Sequence, residues 1–254
     1  MKSGLFTLVF VLALYSSKAQ LTAPDTIALA KGSLVIQPIQ HASMVLTASG
    51  KTIYVDPVGG AARYQGLAAP DIILVTDIHG DHFDPGTLRG LMSHGNVLVA
   101  PEAVVAMLND TLKNSGNVIV LANGQKTMQG GIGIAAIPMY NLPVSATERR
   151  HPKGRGNGYV LSIGGKKIYI SGDTQGIPEM RALTGIDIAF VCMNLPYTMD
   201  VNEAADAVLA FKPRIVYPYH YRGQGGFSDI AAFKTKVEAG DKGIEVRLRN
   251  WYPG

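Results

Sequence analysis

The sequence predicts an α/β (α+β) chain, a pattern that two packed β-sheets with helices outside them would satisfy without its being the sole solution. Three observations carry this. Short β-rich segments recur between Gly, Asn, Asp and Pro. Helical spacing follows only some of them, without the strict alternation of a doubly wound fold. Continuous apolar runs mark strands buried on both faces rather than half-exposed ones.

The elements follow in order. Ser33–Ile39, Ser43–Ala48 and Lys51–Val55 read as a meander joined by tight turns such as Ser49-Gly50-Lys51. Asp71–Thr76 is a continuous apolar run and predicts a buried strand. Pro85–Ser93 places Leu88, Leu91 and Met92 at helical spacing, with Gly95 as a stop signal. Pro101–Leu108 opens on Pro-Glu, a good helix start. Strands are expected at Asn117–Leu121, Gly131–Pro138, Gly158–Ile163 and Lys166–Ser171, the last two joined as a hairpin by Gly164-Gly165. The remainder alternates: strand Asp187–Cys192, helix Val201–Phe211, strand Arg214–Pro218, helix Ser228–Ala239 and strand Ile244–Leu248.

Length and composition agree with one large domain over residues 21–254. The chain has 254 residues, 47% hydrophobic and 17% charged, enough for a full core and too apolar for disorder. Residues 1–20 stand apart. A positive start at Met1-Lys2, an apolar run from Leu5 to Tyr15 and the small residues of Ser17-Lys18-Ala19 read as a secretory signal peptide cut near Ala19 or Gln20. Export to the periplasm or the exterior is therefore expected, with no stable membrane anchor after cleavage. Cleavage removes Lys2 and Lys18 and no acid, so 21 basic residues face 19 acidic ones and the net charge falls from +4 to +2. No basic run exists, so nucleic acid is not an expected partner. The single cysteine, Cys192, excludes an intrachain disulfide and reads as a buried structural thiol.

The chemistry concentrates in Thr76-Asp77-Ile78-His79-Gly80-Asp81-His82. Two carboxylates and two imidazoles within six residues, directly after a buried strand, form a ligand set suited to Zn, Mn or Fe. The strand fixes the backbone while the loop lets side chains of different reach converge.

This segment resembles the Thr-His-x-His-x-Asp-His signature of metallo-β-lactamase-fold hydrolases, with Asp77 where the first histidine normally stands. Further blocks carry the resemblance along the chain: Gln40-His41-Ala42-Ser43, Val55-Asp56-Pro57, Ser171-Gly172-Asp173-Thr174 and Pro218-Tyr219-His220-Tyr221. It looks closest to the branch of ascorbate-6-phosphate lactonase and the phospholipase-D-like enzymes. The resemblance implies an αββα sandwich with two divalent metal ions at one edge of the sheets, Zn or Mn first and Fe next. It implies that Asp77, His79 and a mid-chain histidine hold one metal. That histidine is His151, with no competitor between His94 and His220. The second metal falls to Asp81, His82 and His220, with Asp173 bridging. Asp77 is expected to make the first site harder and more negative than an imidazole would.

The activity so implied is hydrolysis of an ester-type bond, in a lactone or a phosphodiester, by a hydroxide held between the metals. The substrate is an anionic small molecule or lipid head group, and Asp81 holds the water as well as ligating. A non-catalytic metal- or ligand-binding protein with a weakened first site is the alternative. A di-iron protein of this fold ranks last, since it needs a flavin partner domain. Asp56 reads as a carboxylate that orients a ligand or as a turn residue. His41 either lines the site or is a satisfied structural histidine, and His94 reads as a helix C-terminal residue. Lys153 and Arg155, if near the metals, would favour an anionic substrate. Among the tyrosines, Tyr197 and Tyr221 are the candidate phenolic donors at the site, ahead of Tyr140 and Tyr219.

Overall fold

A computed structural model describes residues 21–143 and 150–253. The signal peptide expected over residues 1–20 lies outside the described residues.

The first half of the chain builds a seven-stranded sheet from β1 (Asp25–Ala28), β2 (Ser33–Gln40), β3 (Ser43–Ala48), β4 (Lys51–Val55), β5 (Ile72–Leu74), β6 (Val97–Ala100) and β7 (Asn117–Val120), side by side in that order. Strands β1 to β4 run antiparallel, and β4 to β7 run parallel. Between them lie α1 (Pro85–Leu91), α2 (Glu102–Met107) and α3 (Asp110–Ser115). The second half repeats the plan. It has β8 (Lys126–Gln129), β9 (Ile132–Met139), β10 (Gly156–Ile163), β11 (Lys166–Ile170), α4 (Pro178–Arg181), β12 (Ile188–Cys192), α5 (Val201–Phe211) and β13 (Ile215–Tyr219). A short hairpin of β14 (Arg222–Gly223) and β15 (Gly226–Phe227), then α6 (Ile230–Gly240) and β16 (Glu245–Val246), complete it. Strands β8 to β11 pair antiparallel, and β11, β12, β13 and β16 pair parallel.

Side-chain alternation explains the apolar runs. On β3, β4 and β5, Met44, Leu46, Ile53, Val55, Ile72 and Leu74 face the second sheet in the main core. Their neighbours Val45, Tyr54 and Ile73 face the other way, into a second core with Leu88 of α1, Val104 of α2 and Leu112 of α3. A strand sandwiched between a sheet and helices has no polar side, so period-two patterning disappears. Helices α5 and α6 cover the second sheet through Val208, Phe211, Phe233 and Val237. Buried apolar faces thus close an αββα sandwich, as expected.

Several boundaries move. The strand expected over Asp71–Thr76 is paired only at Ile72–Leu74, although Val75 N–H still reaches Val99 O at 3.1 Å. Helix α1 stops at Leu91, so His94 sits in an exposed turn rather than on the helix end. Asp229 caps α6 by accepting from Ala232 N–H, which delays the helix start from Ser228 to Ile230. Strands β1, β6 and β8 and helices α3 and α4 carry too few residues for a periodic signal and were not foreseen. The Gly164-Gly165 hairpin is as expected, both glycines at positive φ (58° and 79°). Cys192 is fully buried, and burial pushes its thiol up to about 12.

Candidate metal centre

The ends of β4, β5, β11 and β13 meet along one edge of the sandwich. In a parallel pair the carboxyl ends of strands open a crevice where loops diverge, the usual place for a ligand. The loop after β5 carries Asp77, His79, Asp81 and His82. The loop entering β10 carries His151 and Arg155, the end of β11 leads to Asp173, and the end of β13 leads to His220.

Two groups of ligand-type side chains converge there: Asp77, His79 and His151, and Asp81, His82 and His220. In each, one ligand atom per residue lies within 4.8 Å of the others. Asp173 stands between the groups. Its Oδ2 is 3.3 Å from His151 Nε2 and 3.3 Å from His82 Nε2, and its Oδ1 is 3.4 Å from His220 Nε2. Asp81 Oδ2 closes the second group at 3.3 Å from His220 Nε2. All seven residues proposed from the sequence as ligands are therefore at one locus.

The atoms facing the centre include buried polar atoms without hydrogen-bond partners: His82 Nε2, His151 Nε2 and Asp173 Oδ1. Leaving a buried polar atom unpaired costs about 1–3 kcal/mol, so several of them aimed at one point call for a common partner. Imidazole nitrogens and carboxylate oxygens together are a donor set for divalent cations, and the residues fit such ions.

Partners on the far side of the rings fix which nitrogen faces inward. His82 Nδ1 lies 2.8 Å from Asp56 Oδ2, while Thr76 donates to Asp56 through both N–H (2.7 Å) and Oγ1 (2.7 Å). Asp56 is thus the ligand-orienting carboxylate. His151 Nδ1 lies 3.1 Å from Asn141 Oδ1, which also accepts from His151 N–H at 2.9 Å. On the inward side, Asn194 Nδ2 reaches both Asp173 Oδ2 (3.4 Å) and His220 Nε2 (3.3 Å). Asn141 and Asn194 were missed from sequence because an isolated Asn after a strand looks like any turn residue.

Charge follows from this crowding. Burial alone would hold Asp173 neutral, yet the imidazoles of His220, His82 and His151 keep its carboxyl well below the usual range. Burial also opposes charge on His82, but Asp173 and Asp56 outweigh it and raise that imidazole well above its ordinary value. Backbone strain collects here as well: His41 (φ 50°), Asp56 (φ 44°) and His220 (φ 44°) are left-handed non-glycine residues, each costing about 1–3 kcal/mol.

Other expected residues separate by geometry. Tyr221 is a correction: its hydroxyl donates to Arg249 O at 3.2 Å and accepts from Trp251 N–H at 3.3 Å, so packing against the C-terminal segment occupies it. Tyr219 accepts from Gly172 N–H at 3.0 Å, and Tyr140 donates to Glu179 at 2.7 Å. Tyr197 is half-buried, with the Arg150 guanidinium 4.2 Å from its ring centroid. His41 stacks edge-on against His220 at 5.5 Å and Tyr252 at 4.9 Å. Burial and the neighbouring His220 push it down to about 4. Lys153 is committed to Glu179 at 2.7 Å. Arg155 pairs with Asp77 through two contacts, Nε to Oδ1 and Nη2 to Oδ2, both 3.1 Å. A guanidinium thus stands against the carboxylate expected to make the first site harder and more negative.

Comparison with known proteins agrees with the geometry. Residues 35–220 match a family model described as a beta-lactamase superfamily domain. A UPF0173 metal-dependent hydrolase of Pyrococcus abyssi is 31% identical over 220 residues, covering 82% of this chain and 93% of that protein. A crystal structure from Parabacteroides distasonis, titled as a metal-dependent hydrolase, is 39% identical with a TM-score of 0.79, covering 90% of this chain and 98% of that one. The metallo hydrolase Igni18 of Ignicoccus hospitalis shares the fold at 23% identity and a TM-score of 0.71, covering 87% of this chain and 96% of that one. With these ligand groups at the edge of an αββα sandwich, the chain belongs to the metallo-β-lactamase superfamily and is a metal-dependent hydrolase.

Proposed function

We propose that the chain hydrolyses an ester-type bond, of a lactone or a phosphodiester, in an anionic small molecule or lipid head group. Two divalent cations, Zn or Mn, would be held by Asp77, His79 and His151 and by Asp81, His82 and His220, with Asp173 shared. The observation that carries this reading is the position of Asp173, within 3.4 Å of imidazole nitrogens from both groups. When bound, such a cation pair lowers the pKa of water and stabilises negative charge developing on a carbonyl or phosphoryl oxygen.

The protein's own residues do the rest. Asp81 is the acidic group open to solvent, its side chain 38% exposed, whereas Asp77 and Asp173 are buried. It can therefore hold a proton of the attacking water while the imidazoles stay fixed from behind. Asn194 keeps Asp173 and His220 in register. Arg150, exposed beside His151 and stacked on Tyr197, supports an anionic substrate, and the Tyr197 phenol is the candidate donor to it.

The test is turnover of chromogenic lactones and phosphodiesters by the metal-loaded protein. A His79→Ala variant is expected to lose roughly a hundredfold or more in kcat/KM. Equal turnover by that variant would sink the mechanism.

A further inference from the structure

We infer that Asp77 and Arg155 act as one charge-neutral unit, so that the two cation sites load unequally: the site of Asp81, His82 and His220 fills first, and that of Asp77, His79 and His151 binds about tenfold or more weakly. This rests on the two-cation reading above and deepens it.

Three observations support it. The first is the pairing itself. Arg155 holds both oxygens of Asp77 at 3.1 Å in the fork geometry that suits a carboxylate, and the Asp77 side chain is fully buried. The placement is built in. Asn157 N–H donates to Thr76 O at 2.9 Å, which registers the start of β10 against the residue before Asp77. Arg155, two residues before Asn157, is thereby set beside it. A buried guanidinium–carboxylate pair separates at a cost of several kcal/mol, so Asp77 keeps its partner when a cation arrives.

The second observation is the charge balance. The second site has Asp81 and Asp173, with Asp56 behind His82. Among the described residues, no Lys or Arg pairs with any of these three carboxylates. At the first site Arg155 cancels Asp77, which leaves only its share of Asp173 to attract a cation. A dication close to an uncompensated carboxylate gains far more than one close to a neutral pair.

The third is spacing. Ligand atoms around a tetrahedral ion with bonds of about 2.0–2.1 Å stand roughly 3.3 Å apart. In the second site, His220 Nε2 lies 3.3 Å from Asp81 Oδ2 and 3.4 Å from Asp173 Oδ1, and His82 Nε2 lies 3.3 Å from Asp173 Oδ2. In the first, His79 Nδ1 lies 2.5 Å from Asp77 Oδ2 while His151 Nε2 lies 3.8 Å from the same oxygen. Each site also holds one wide gap, 3.9 Å between His82 Nε2 and Asp81 Oδ1 in the second, so the difference lies in the 2.5 Å His79–Asp77 pair, which must open before the first site can admit an ion.

The experiment is a calorimetric titration of Zn2+, repeated with Mn2+, into chelator-stripped protein with residues 1–20 removed. Wild type is expected to bind in two steps separated by about tenfold or more. Arg155→Gln removes the charge and is expected to tighten the weak step by about tenfold, with the tight step moving less than about twofold. Arg155→Lys loses the fork but keeps the charge, so the weak step is expected to shift less than about threefold. If Arg155→Gln does not fold, Arg155→Met, neutral and of similar length, serves, with the same tightening of the weak step expected. Equal affinities in wild type overturn the inference. So does an Arg155→Gln weak step that loosens or stays put, since Arg155 would then be positioning Asp77 as a ligand rather than cancelling its charge. No heat of binding for either ion at any ratio would remove the two-cation reading instead.

Discussion

Asp56 shows how much a residue without direct access to the cleft can control. It is fully buried, held in a left-handed backbone conformation, and accepts twice from Thr76 while facing His82 Nδ1 at 2.8 Å. That arrangement holds Nδ1 against Asp56 and turns Nε2 toward Asp173, the atom a bound cation would meet. An Asp56→Ala variant is expected to stay folded and to lose about 10- to 100-fold in cation affinity at the second site, read by equilibrium dialysis. Unchanged affinity would mean that packing alone orients the ring. At this scale the sequence was informative where residue type carries chemistry. Asp77, His79, Asp81 and His82 stand out by density, and Asp56 by its place after a strand. Arg155 was noticed only as a loop cation. Its pairing with Asp77 spans 78 positions, and local patterning cannot report so distant a contact. Tyr221 erred for the same reason, because its hydroxyl is taken by backbone groups of the C-terminal segment.

At the scale of elements, the two halves of the chain use the same device. Each sheet is an antiparallel meander followed by parallel strands, and the strand at the switch ends in a site aspartate: β4 leads to Asp56 and β11 to Asp173. No sequence repeat announces this, because the halves share strand geometry rather than side chains. The turn after β11 has little room. Gly172 lies at φ 60°, and a Cβ there would fall 2.5 Å from Met139 Sδ and 3.1 Å from Asn157 O. Gly172→Ala is expected to cost about 2 kcal/mol by urea unfolding and to weaken cation binding through displacement of Asp173. A variant as stable as wild type would show that β9 moves aside freely. Strands β3, β4 and β11 were legible because β-branched runs end at clear turns. Strands β1, β6 and β8, of four residues each, were not, since they are defined by the neighbour they pair with.

Across the whole molecule, the N-terminal edge strand is tied to the C-terminal segment by one carboxylate. Asp25 accepts from Tyr217 Oη at 2.7 Å and pairs with Arg249 at 2.7 Å and Arg247 at 3.3 Å. Burial raises its pKa, but the Tyr217 and Arg249 contacts outweigh it and leave the folded value depressed. A depressed carboxylate stabilises the fold above its unfolded value of about 3.9, and that contribution is lost as pH falls through the folded value. Asp25→Asn is expected to cost about 1–2 kcal/mol near neutral pH. The gap from wild type should close below about pH 4 in denaturation curves. A gap unchanged at pH 3 would contradict the ion-pair origin. The sequence by itself determined the order of the strong strands and the density of ligand-type residues from Asp77 to His82, because hydrophobic periodicity and residue chemistry are local properties; the sandwich and the roles expected of His151, Asp173 and His220 came from the family resemblance its motifs carry. Only the tertiary structure decided which nitrogen of each ring faces the centre, that Asp77 is paired with Arg155, and that the Tyr221 hydroxyl is taken by backbone groups. Those outcomes depend on side chains brought together from distant strands, and the chain specifies them only through packing.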